Sequence, residues 1–202
     1  MNTECIDEES LRNNFNVHDH LKEKSIEELY DINMQARLPY AVCILNIEGN
    51  LNIGMTIRTA CNLGAERVIV IGRKHYDKRS CVGSNHYFPI DVIKAYDFHS
   101  QQYEIDEFWN AMNKYNYRPF LMETGGKPIH AGTFKRLVQI AKIKNLPKPC
   151  LVFGSESAGL PKEIIDDPRS TVYSIPQLGV IRSFNVSSAA AISMWELTRC
   201  MI

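Results

Sequence analysis

The chain has 202 residues, of which 45% are hydrophobic, and its 23 basic and 23 acidic side chains give a net charge of zero. This length suits one domain with a substantial core, and the sequence contains neither a run of about 18 apolar residues nor a basic leader followed by an apolar stretch. We therefore expect a soluble, cytoplasmic protein with no membrane span, no signal peptide and no membrane partner.

The amino-terminal segment, residues 1–38, differs from the rest of the chain in charge. It holds nine acidic and four basic side chains, a net of −5, which leaves +5 for residues 39–202. Ser25 and Glu28 have the spacing of a capping box, and the apolar pattern after them predicts a helix that stops before Pro39. The residues predicted to face inwards are Ile26, Leu29, Tyr30, Asn33, Met34 and Arg37. We interpret residues 1–38 as an extension that packs on a body formed by residues 39–202.

Buried strands and helices alternate through this body. The apolar, β-branched runs that predict strands are at residues 40–47, 67–72, 88–95, 118–123, 150–153 and 171–175. The patterns that predict helices are at residues 52–64, 105–115 and 134–144, and again after Asn185. Gly125 and Gly126 are predicted to turn the chain away from the fourth strand. This alternation predicts an α/β fold with a mostly parallel sheet flanked by helices.

The first predicted helix of the body contains two residues that do not serve the helix. Asn52 is placed to cap it and Gly64 to end it, with Ile53, Ile57, Ala60, Cys61 and Leu63 as its buried stripe. Gly54 costs about 1 kcal/mol relative to alanine inside a helix, and Arg58 lies one turn further along the same face. The pair predicts room for a ligand beside a guanidinium. The alternative is a surface arginine next to a tight helix crossing.

Two basic regions follow. A loop after the second strand holds Arg73, Lys74, Lys78 and Arg79, and the region of the fourth helix holds Lys135, Arg136, Lys142, Lys144 and Lys148. Clustered cations can bind phosphate groups, although a solvated surface explains them equally well.

Two loops near the carboxyl terminus have unusual composition. The strand at residues 150–153 runs directly into GSESAGLP, at the strand end where open α/β sheets hold their ligands. The strand at 171–175 is followed by Pro176 and Gly179, which force a loop, and then by Ser183 as a predicted N-cap and by small side chains that allow close packing.

Several common catalytic sites are absent from the sequence. It contains no GxGxxG after a strand and no GxxxxGK[ST] phosphate loop. Neither Ser155 nor Ser157 has glycine at both −2 and +2, as a nucleophile elbow requires. The six cysteines and six histidines are scattered, so we predict no metal site and no disulfide.

Three segments together resemble the SpoU or TrmH class of SPOUT RNA methyltransferases. They are NxGxxxR, formed by Asn52, Gly54 and Arg58; FGSESAGLP; and IPQLGVIRSFNVSSA. The resemblance covers about residues 40 to 200, with the motifs in family order. It implies a C-terminal trefoil knot in the α/β fold, a homodimer with the site near its interface, and S-adenosylmethionine as cofactor. It also implies methyl transfer to a ribose 2′-hydroxyl of RNA.

Site residues follow from the same resemblance. The catalytic set is Arg58, Asn52, Glu156, Ser183 and Asn185. The cofactor set is Gly154, Glu156, Ile175, Leu178, Gly179, Ser183 and Asn185. The RNA-binding set is Arg58, Arg73, Lys78, Arg79 and Arg182. Ser155 and Ser157 depart from residues common in the family, which weakens the expected RNA contacts there.

The predicted chemistry centres on Arg58. A guanidinium is a poor base, so we expect Arg58 to hold the adjacent phosphate and stabilise the developing alkoxide, while that phosphate or Ser183 removes the proton. The residues of the third motif and the pair Trp195 and Glu196 resemble those of enzymes that methylate guanosine in the tRNA D-loop. This resemblance favours tRNA over rRNA as the substrate. Methylation of rRNA, methylation of the tRNA wobble position, or a non-catalytic RNA-binding dimer are the alternatives.

Overall fold

The computed structural model describes residues 16–46, 51–73, 76–97, 99–130 and 132–202. Its helices are α1 (Ile26–Gln35), α2 (Leu51–Asn62), α3 (Ile105–Lys114), α4 (Thr133–Lys144), α5 (Lys162–Ile165) and α6 (Val186–Thr198). Its strands are β1 (Ala41–Asn46), β2 (Arg67–Gly72), β3 (Ile90–Lys94), β4 (Tyr96–Asp97), β5 (Gln102–Tyr103), β6 (Tyr117–Pro128), β7 (Lys148–Phe153) and β8 (Thr171–Ser174). Short 3₁₀ helices span Asp19–Leu21, Lys78–Cys81 and Ser84–His86.

Six of the strands form one sheet in the order β3-β2-β1-β7-β6-β8, and every neighbouring pair is parallel. β4 and β5 form a separate antiparallel pair. All six residues of β1 are buried, as expected for a strand covered on both faces of the sheet. The predicted α/β fold with a mostly parallel sheet flanked by helices is therefore confirmed.

Helices cover both faces of the sheet and give two apolar layers. α2, α4 and α6 pack on one face, where Ile57 and Met194 are fully buried. α3 and α5 pack on the other face, with Phe108 and Met112 inside. Each such side chain stabilises the fold by about 1.5–3 kcal/mol. None of the helices built from described residues is long and apolar enough to cross a membrane.

In the extension, α1 begins with the capping box that the sequence predicts. The Ser25 hydroxyl accepts from the Glu28 backbone N–H at 3.1 Å, and the Glu28 carboxylate accepts from the Ser25 N–H at 2.8 Å, which completes the capping box. Leu29 is buried against the body, whereas Tyr30 and Met34 are exposed. The predicted inward stripe of α1 was thus too wide, because α1 contacts the body along a single edge.

Arg37 anchors the extension to the end of α2. Its guanidinium donates to the carbonyl oxygens of Cys61 and Ala65, both at 3.0 Å, and stacks 4.6 Å from the centre of the Phe88 ring. These carbonyls belong to the last turn of α2 and the residues after it, where a cation is favourable. Burial lowers the pKa of Arg37.

The predicted exit of the chain at Gly125 and Gly126 is wrong. β6 continues through both glycines to Pro128, and its register with β8 shifts between Met122 and Lys127. A Cβ on Gly126 would lie 2.7 Å from the backbone of Tyr173, so only glycine allows this approach. The glycines form an irregularity inside a long strand, a use that β-bulges commonly have.

Candidate active site

A cleft of about 600 Å³ lies where residues 122–124 of β6 and the carboxyl ends of β7 and β8 meet the start of α6. We call it the sheet cleft. Five of the seven residues predicted to bind a cofactor line it, namely Gly154, Glu156, Ile175, Ser183 and Asn185. Its volume is in the range of small-molecule sites, which occur at this edge of open α/β sheets.

Glycines shape the loop that follows β7. The backbone groups of Ser155 and Gly159 exchange two hydrogen bonds of 3.1 and 2.9 Å. A Cβ on Gly154 would lie 2.2 Å from the carbonyl carbon of Gly159, and Gly159 has a φ of +67°. Both positions therefore need glycine. The resulting tight hairpin carries Glu156 near its tip.

A hydrogen-bond network joins the three motif segments. Asn52 Nδ2 donates to Glu156 Oε2 at 2.7 Å. Asn185 Nδ2 donates to Asn52 Oδ1 at 3.0 Å and reaches Glu156 Oε1 at 3.5 Å. Asn52 lies 104 positions before Glu156 in the chain, and Asn185 lies 29 positions after it. The fold thus brings together three of the five residues predicted to be catalytic.

Asn185 also begins α6. Its Oδ1 accepts from the backbone N–H groups of Ser187 and Ser188 at 2.9 and 3.4 Å. The prediction that Ser183 caps this helix is wrong. α6 starts at Val186, so the residue directly before it, Asn185, is the one whose side chain reaches the free N–H groups of the first turn. One amide side chain therefore fixes the helix and the network together.

The predicted cap of α2 is also wrong. α2 begins at Leu51, so Asn52 lies inside its first turn, and its side chain is used in the network. Gly54 does not make room for a ligand. A Cβ at Gly54 would lie 2.2 Å from the Ser80 hydroxyl and 2.8 Å from the Asp77 carbonyl oxygen, so this glycine serves a tight contact between α2 and the 3₁₀ segment beside it.

Arg58 is not in the sheet cleft. It is exposed and lines a separate cleft of about 760 Å³. Six residues of helix place Arg58 about 9 Å along the axis from Asn52. One chain therefore groups Ser183 with the network in the sheet cleft, but it leaves Arg58 outside.

Leu178 and Gly179 do not line the sheet cleft either. They lie in the loop between β8 and α6, in which Leu178 is 103% exposed, Val180 102% and Ile181 75%. Three large apolar side chains exposed within four positions are unusual for a folded chain and are typical of a surface that binds another molecule. Arg182, from the same loop, does line the cleft.

The basic loop after β2 lies outside both clefts. Arg73, Lys78 and Arg79 are exposed, and Lys74 lies outside the described residues. Arg79 forms a two-pronged ion pair with Asp77, whose pKa the hydrogen bonds from Arg79 lower to about 2. Arg79, one of the three cations predicted to bind RNA in this loop, is therefore already paired with Asp77.

Three lining residues of the sheet cleft were missed from the sequence, namely Glu123, Thr124 and Gln177. Glu123 Oε1 accepts from the N–H and hydroxyl of Thr124 at 2.9 and 3.1 Å, and a Cβ on Gly159 would lie 3.1 Å from Oε2. The available signal was an acid at the end of the predicted strand at residues 118–123, two positions before a glycine pair.

No group of three or more His, Cys, Asp or Glu side chains with metal-binding geometry occurs in the described part of the chain. The five cysteines that the structure describes are free thiols, and Cys43 and Cys150 are buried in β1 and β7. Burial raises the pKa of both thiols, which makes them unreactive core residues.

Comparisons with known proteins place these features in a family context. The sequence model of the SpoU rRNA Methylase family matches residues 39–195. No curated protein matches the chain in a sequence search.

Solved structures share the fold. An AdoMet-bound rRNA methyltransferase from Sinorhizobium meliloti is 24% identical with a TM-score of 0.61, over 86% of this chain and 60% of that protein. The TrmH/SpoU tRNA modifying enzyme of A. aeolicus is 19% identical with a TM-score of 0.62, over 88% of this chain and 83% of that one. An RNA 2′-O ribose methyltransferase is 19% identical with a TM-score of 0.60, over 82% of this chain and 57% of that one.

Proposed function

Because the chain belongs to the SpoU rRNA Methylase family, we propose that it is an RNA methyltransferase that moves the methyl group of S-adenosylmethionine to a ribose 2′-hydroxyl. The observation that carries the proposal is the network of Asn52, Glu156 and Asn185, which joins all three motif segments at the edge of the sheet cleft. Its similarity to an AdoMet-bound rRNA methyltransferase and to an RNA 2′-O ribose methyltransferase supports it.

The sheet cleft suits the cofactor in shape and in charge. The glycine hairpin at 154–159 exposes backbone donors and acceptors to a nucleoside, and Ile175, Val186 and Ala189 give an apolar wall. Glu123 and Glu156 bring negative charge to a cleft that would receive a sulfonium cation. When bound, S-adenosylmethionine supplies an electrophilic methyl group.

The protein's own part in the reaction is to align the ribose and help its hydroxyl lose a proton. The network holds Glu156 at one side of the cleft, and Ser183 lies in the same cleft as a short polar group near the hydroxyl. Arg58 holds the neighbouring phosphate and stabilises the developing alkoxide. A guanidinium is a poor base, so Arg58 does not remove the proton.

Two copies of the chain are needed to complete this site. Arg58 and Ser183 line different clefts of one chain, and the apolar loop of Leu178, Val180 and Ile181 is exposed. We infer a homodimer in which this loop is covered and Arg58 of one copy meets the sheet cleft of the other. The trefoil threading of the carboxyl-terminal segment and a cytoplasmic location remain predictions that belong to the same proposal.

The favoured substrate is tRNA, with guanosine of the D-loop as the favoured target and rRNA or the tRNA wobble position as alternatives. The test is transfer of labelled methyl groups from S-adenosylmethionine to total tRNA and total rRNA, followed by mapping of the modified nucleoside. Label in a 2′-O-methylated nucleoside supports the proposal. Calorimetry that detects no S-adenosylmethionine binding, with no label transferred to either RNA, would leave a non-catalytic RNA-binding dimer instead.

A further inference from the structure

The segment between the two glutamates of the sheet cleft carries an unbalanced charge. Residues 124–155 contain six of the chain's 23 basic side chains and none of its 23 acidic ones. Four of the six lie on α4 and are exposed, namely Lys135, Arg136, Lys142 and Lys144. We call them the α4 cations. A chain of zero net charge therefore concentrates positive charge on one helix.

The α4 cations have no anionic partner among the residues that the structure describes. α4 packs on β6, β7, β8 and α6. β7 and β8 contain no acidic residue. The one acid of β6 is Glu123, in the sheet cleft, and the one acid of α6, Glu196, pairs with Arg199 at 2.5 Å. The positive charge of α4 is thus not balanced by the elements around it.

Two of these cations occupy positions that are unfavourable for the helix. Lys135 and Arg136 lie in the first turn of α4, where the helix macrodipole favours acidic side chains. α3 shows the favourable arrangement, with Asp106 and Glu107 in its first turn and Lys114 in its last. Because cations at the start of α4 do not stabilise the helix, helix formation does not explain them.

α4 begins at the end of the sheet that holds the sheet cleft. It joins β6, whose residues 122–124 line the cleft, to the start of β7. In its first turn, the ring of Phe134 lies 6.0 Å from that of Tyr173, and the next residue, Ser174, lines the cleft. From Lys135 to Lys144 the α4 cations span about 14 Å along the helix axis. They can therefore contact several successive phosphates of one nucleic-acid strand.

We propose that the α4 cations bind the phosphate backbone of the substrate RNA outside the nucleotide that is methylated. The inference rests on the proposed function and names the surface that holds the rest of the substrate. Cations that contact phosphates release counterions from the nucleic acid, and this contribution to binding does not depend on the base sequence. The sheet cleft receives the target ribose, and α4 holds the backbone beside it.

An anionic lipid surface is the competing partner for a row of cations. A helix that binds lipid exposes an apolar stripe beside its charged face. In α4, all of whose residues the structure describes, Phe134 and Val138 are buried in the core, and Ile143 is the one large apolar side chain that is exposed. The charge of α4 without an exposed apolar stripe favours RNA.

The salt dependence of RNA binding tests this surface with the full-length chain. The probes are total tRNA and total rRNA, and the readout is Kd at several salt concentrations. Each phosphate contact contributes about 0.7–0.9 to the slope of log Kd against log salt. Lys135→Gln combined with Arg136→Gln should lower this slope by about 1.5 and weaken binding about tenfold. The Kd of S-adenosylmethionine should not change, and the thermal midpoint should stay equal or rise, since the first turn of α4 loses two unfavourable charges.

Lys142→Gln and Lys114→Gln form a matched pair of variants. Each lysine is exposed in the last turn of its helix, so both substitutions remove one cation that favours the helix terminus. α4 and α3 cover opposite faces of the sheet. Lys142→Gln should lower the salt slope by about one and weaken RNA binding about threefold. Lys114→Gln should change neither.

Equal salt slopes in the two single variants would overturn the proposal, and so would a wild-type protein that binds neither RNA. Binding to vesicles of phosphatidylcholine and phosphatidylserine that the double variant abolishes, with its RNA slope unchanged, would assign the α4 cations to a lipid surface instead. RNA binding that depends on the α4 cations, in a protein that transfers no methyl group from S-adenosylmethionine, would support the surface and contradict the proposed methyl transfer. The two failures are therefore distinguishable.

Discussion

The two sides of the parallel sheet, where its strands begin and where they end, use polar side chains in opposite ways. We call them the amino edge and the carboxyl edge. At the amino edge, Arg67 donates to Asp91 at 2.7 Å, and Tyr115 donates to the other oxygen of Asp91 at 2.9 Å. Beside them, Glu66 accepts from Tyr117 at 2.8 Å and from Lys148 at 2.5 Å. These contacts tie together the starts of β2, β3, β6 and β7.

The carboxyl edge instead leaves polar groups in an open cleft. Glu156 accepts from the amides of Asn52 and Asn185, and Glu123 accepts from its neighbour Thr124. The comparison shows that ion pairs join the strands at one edge of the sheet, whereas polar side chains line a cleft at the other.

The largest effect that we expect is the loss of methyl transfer when Arg58 is replaced. Arg58→Ala should lower kcat for methyl transfer by at least about 100-fold, the loss typical when one group that stabilises transition-state charge is removed. Because Arg58 is proposed to hold the RNA phosphate and does not line the sheet cleft of its own chain, the Kd of S-adenosylmethionine measured by calorimetry should stay the same. A parallel loss of cofactor binding would contradict the role given to Arg58.

The second-largest effect is expected for Asn185→Asp, a variant that keeps the cap of α6 but disrupts the hydrogen-bond network with Asn52 and Glu156. Asn185→Asp keeps an oxygen that accepts from the Ser187 and Ser188 amides, but it removes the Nδ2 donor and places a second carboxylate beside Glu156. We expect kcat/KM to fall about ten- to a hundredfold, as for loss of a hydrogen bond to a charged group. The thermal midpoint should stay close to that of the wild type.

Asn185→Ala is the control for this prediction. It removes the cap as well as the network and should cost about 1 kcal/mol of unfolding free energy in addition to the activity. An Asn185→Asp enzyme with full activity would show that the network only stabilises the loop.

Much of the fold followed from the sequence, because strands buried on both faces and capped helices have local signals. β2 was predicted to the residue, and the capping box of α1 was correct. The cap predicted at Ser183 was wrong because Asn185, two residues later, offers the same kind of side chain. The cap predicted at Asn52 was wrong because a short polar side chain can cap a helix or bind a distant partner, and only the fold decides which. Glu123 was missed for the same reason, since its neighbours are Thr124 and the distant Gly159.

A substitution at the amino edge should lower the unfolding free energy and leave methyl transfer unchanged. Asp91→Ala leaves the Arg67 guanidinium and the Tyr115 hydroxyl without this partner, at a partly exposed site. We expect a loss of about 1–2 kcal/mol of unfolding free energy, reduced from the cost of a fully buried pair by solvent screening. Denaturant unfolding measures it, and methyl transfer per folded molecule should remain unchanged. A fall in kcat would mean that the two edges are coupled.

The smallest effect concerns the alkaline stability of the amino edge. Tyr40 is buried, and its hydroxyl donates to the Leu63 carbonyl oxygen at 2.9 Å and lies 3.1 Å from the Thr198 hydroxyl. Burial raises the pKa of Tyr40 to about 12. Since the folded pKa exceeds the unfolded value of about 10, the contribution of neutral Tyr40 is complete below pH 10 and is lost as the pH rises towards 12.

Tyr40→Phe removes this titration. The variant should lose about 1 kcal/mol at neutral pH, from its missing hydrogen bonds, and should show a shallower fall of unfolding free energy between pH 10 and 12. Burial also raises the pKa of Tyr76 to about 12, so part of the slope should persist in both proteins. Identical slopes in denaturant unfolding at pH 9, 10 and 11 would show that Tyr40 ionises as easily in the folded chain as in the unfolded one, and that the amino edge is open to water there.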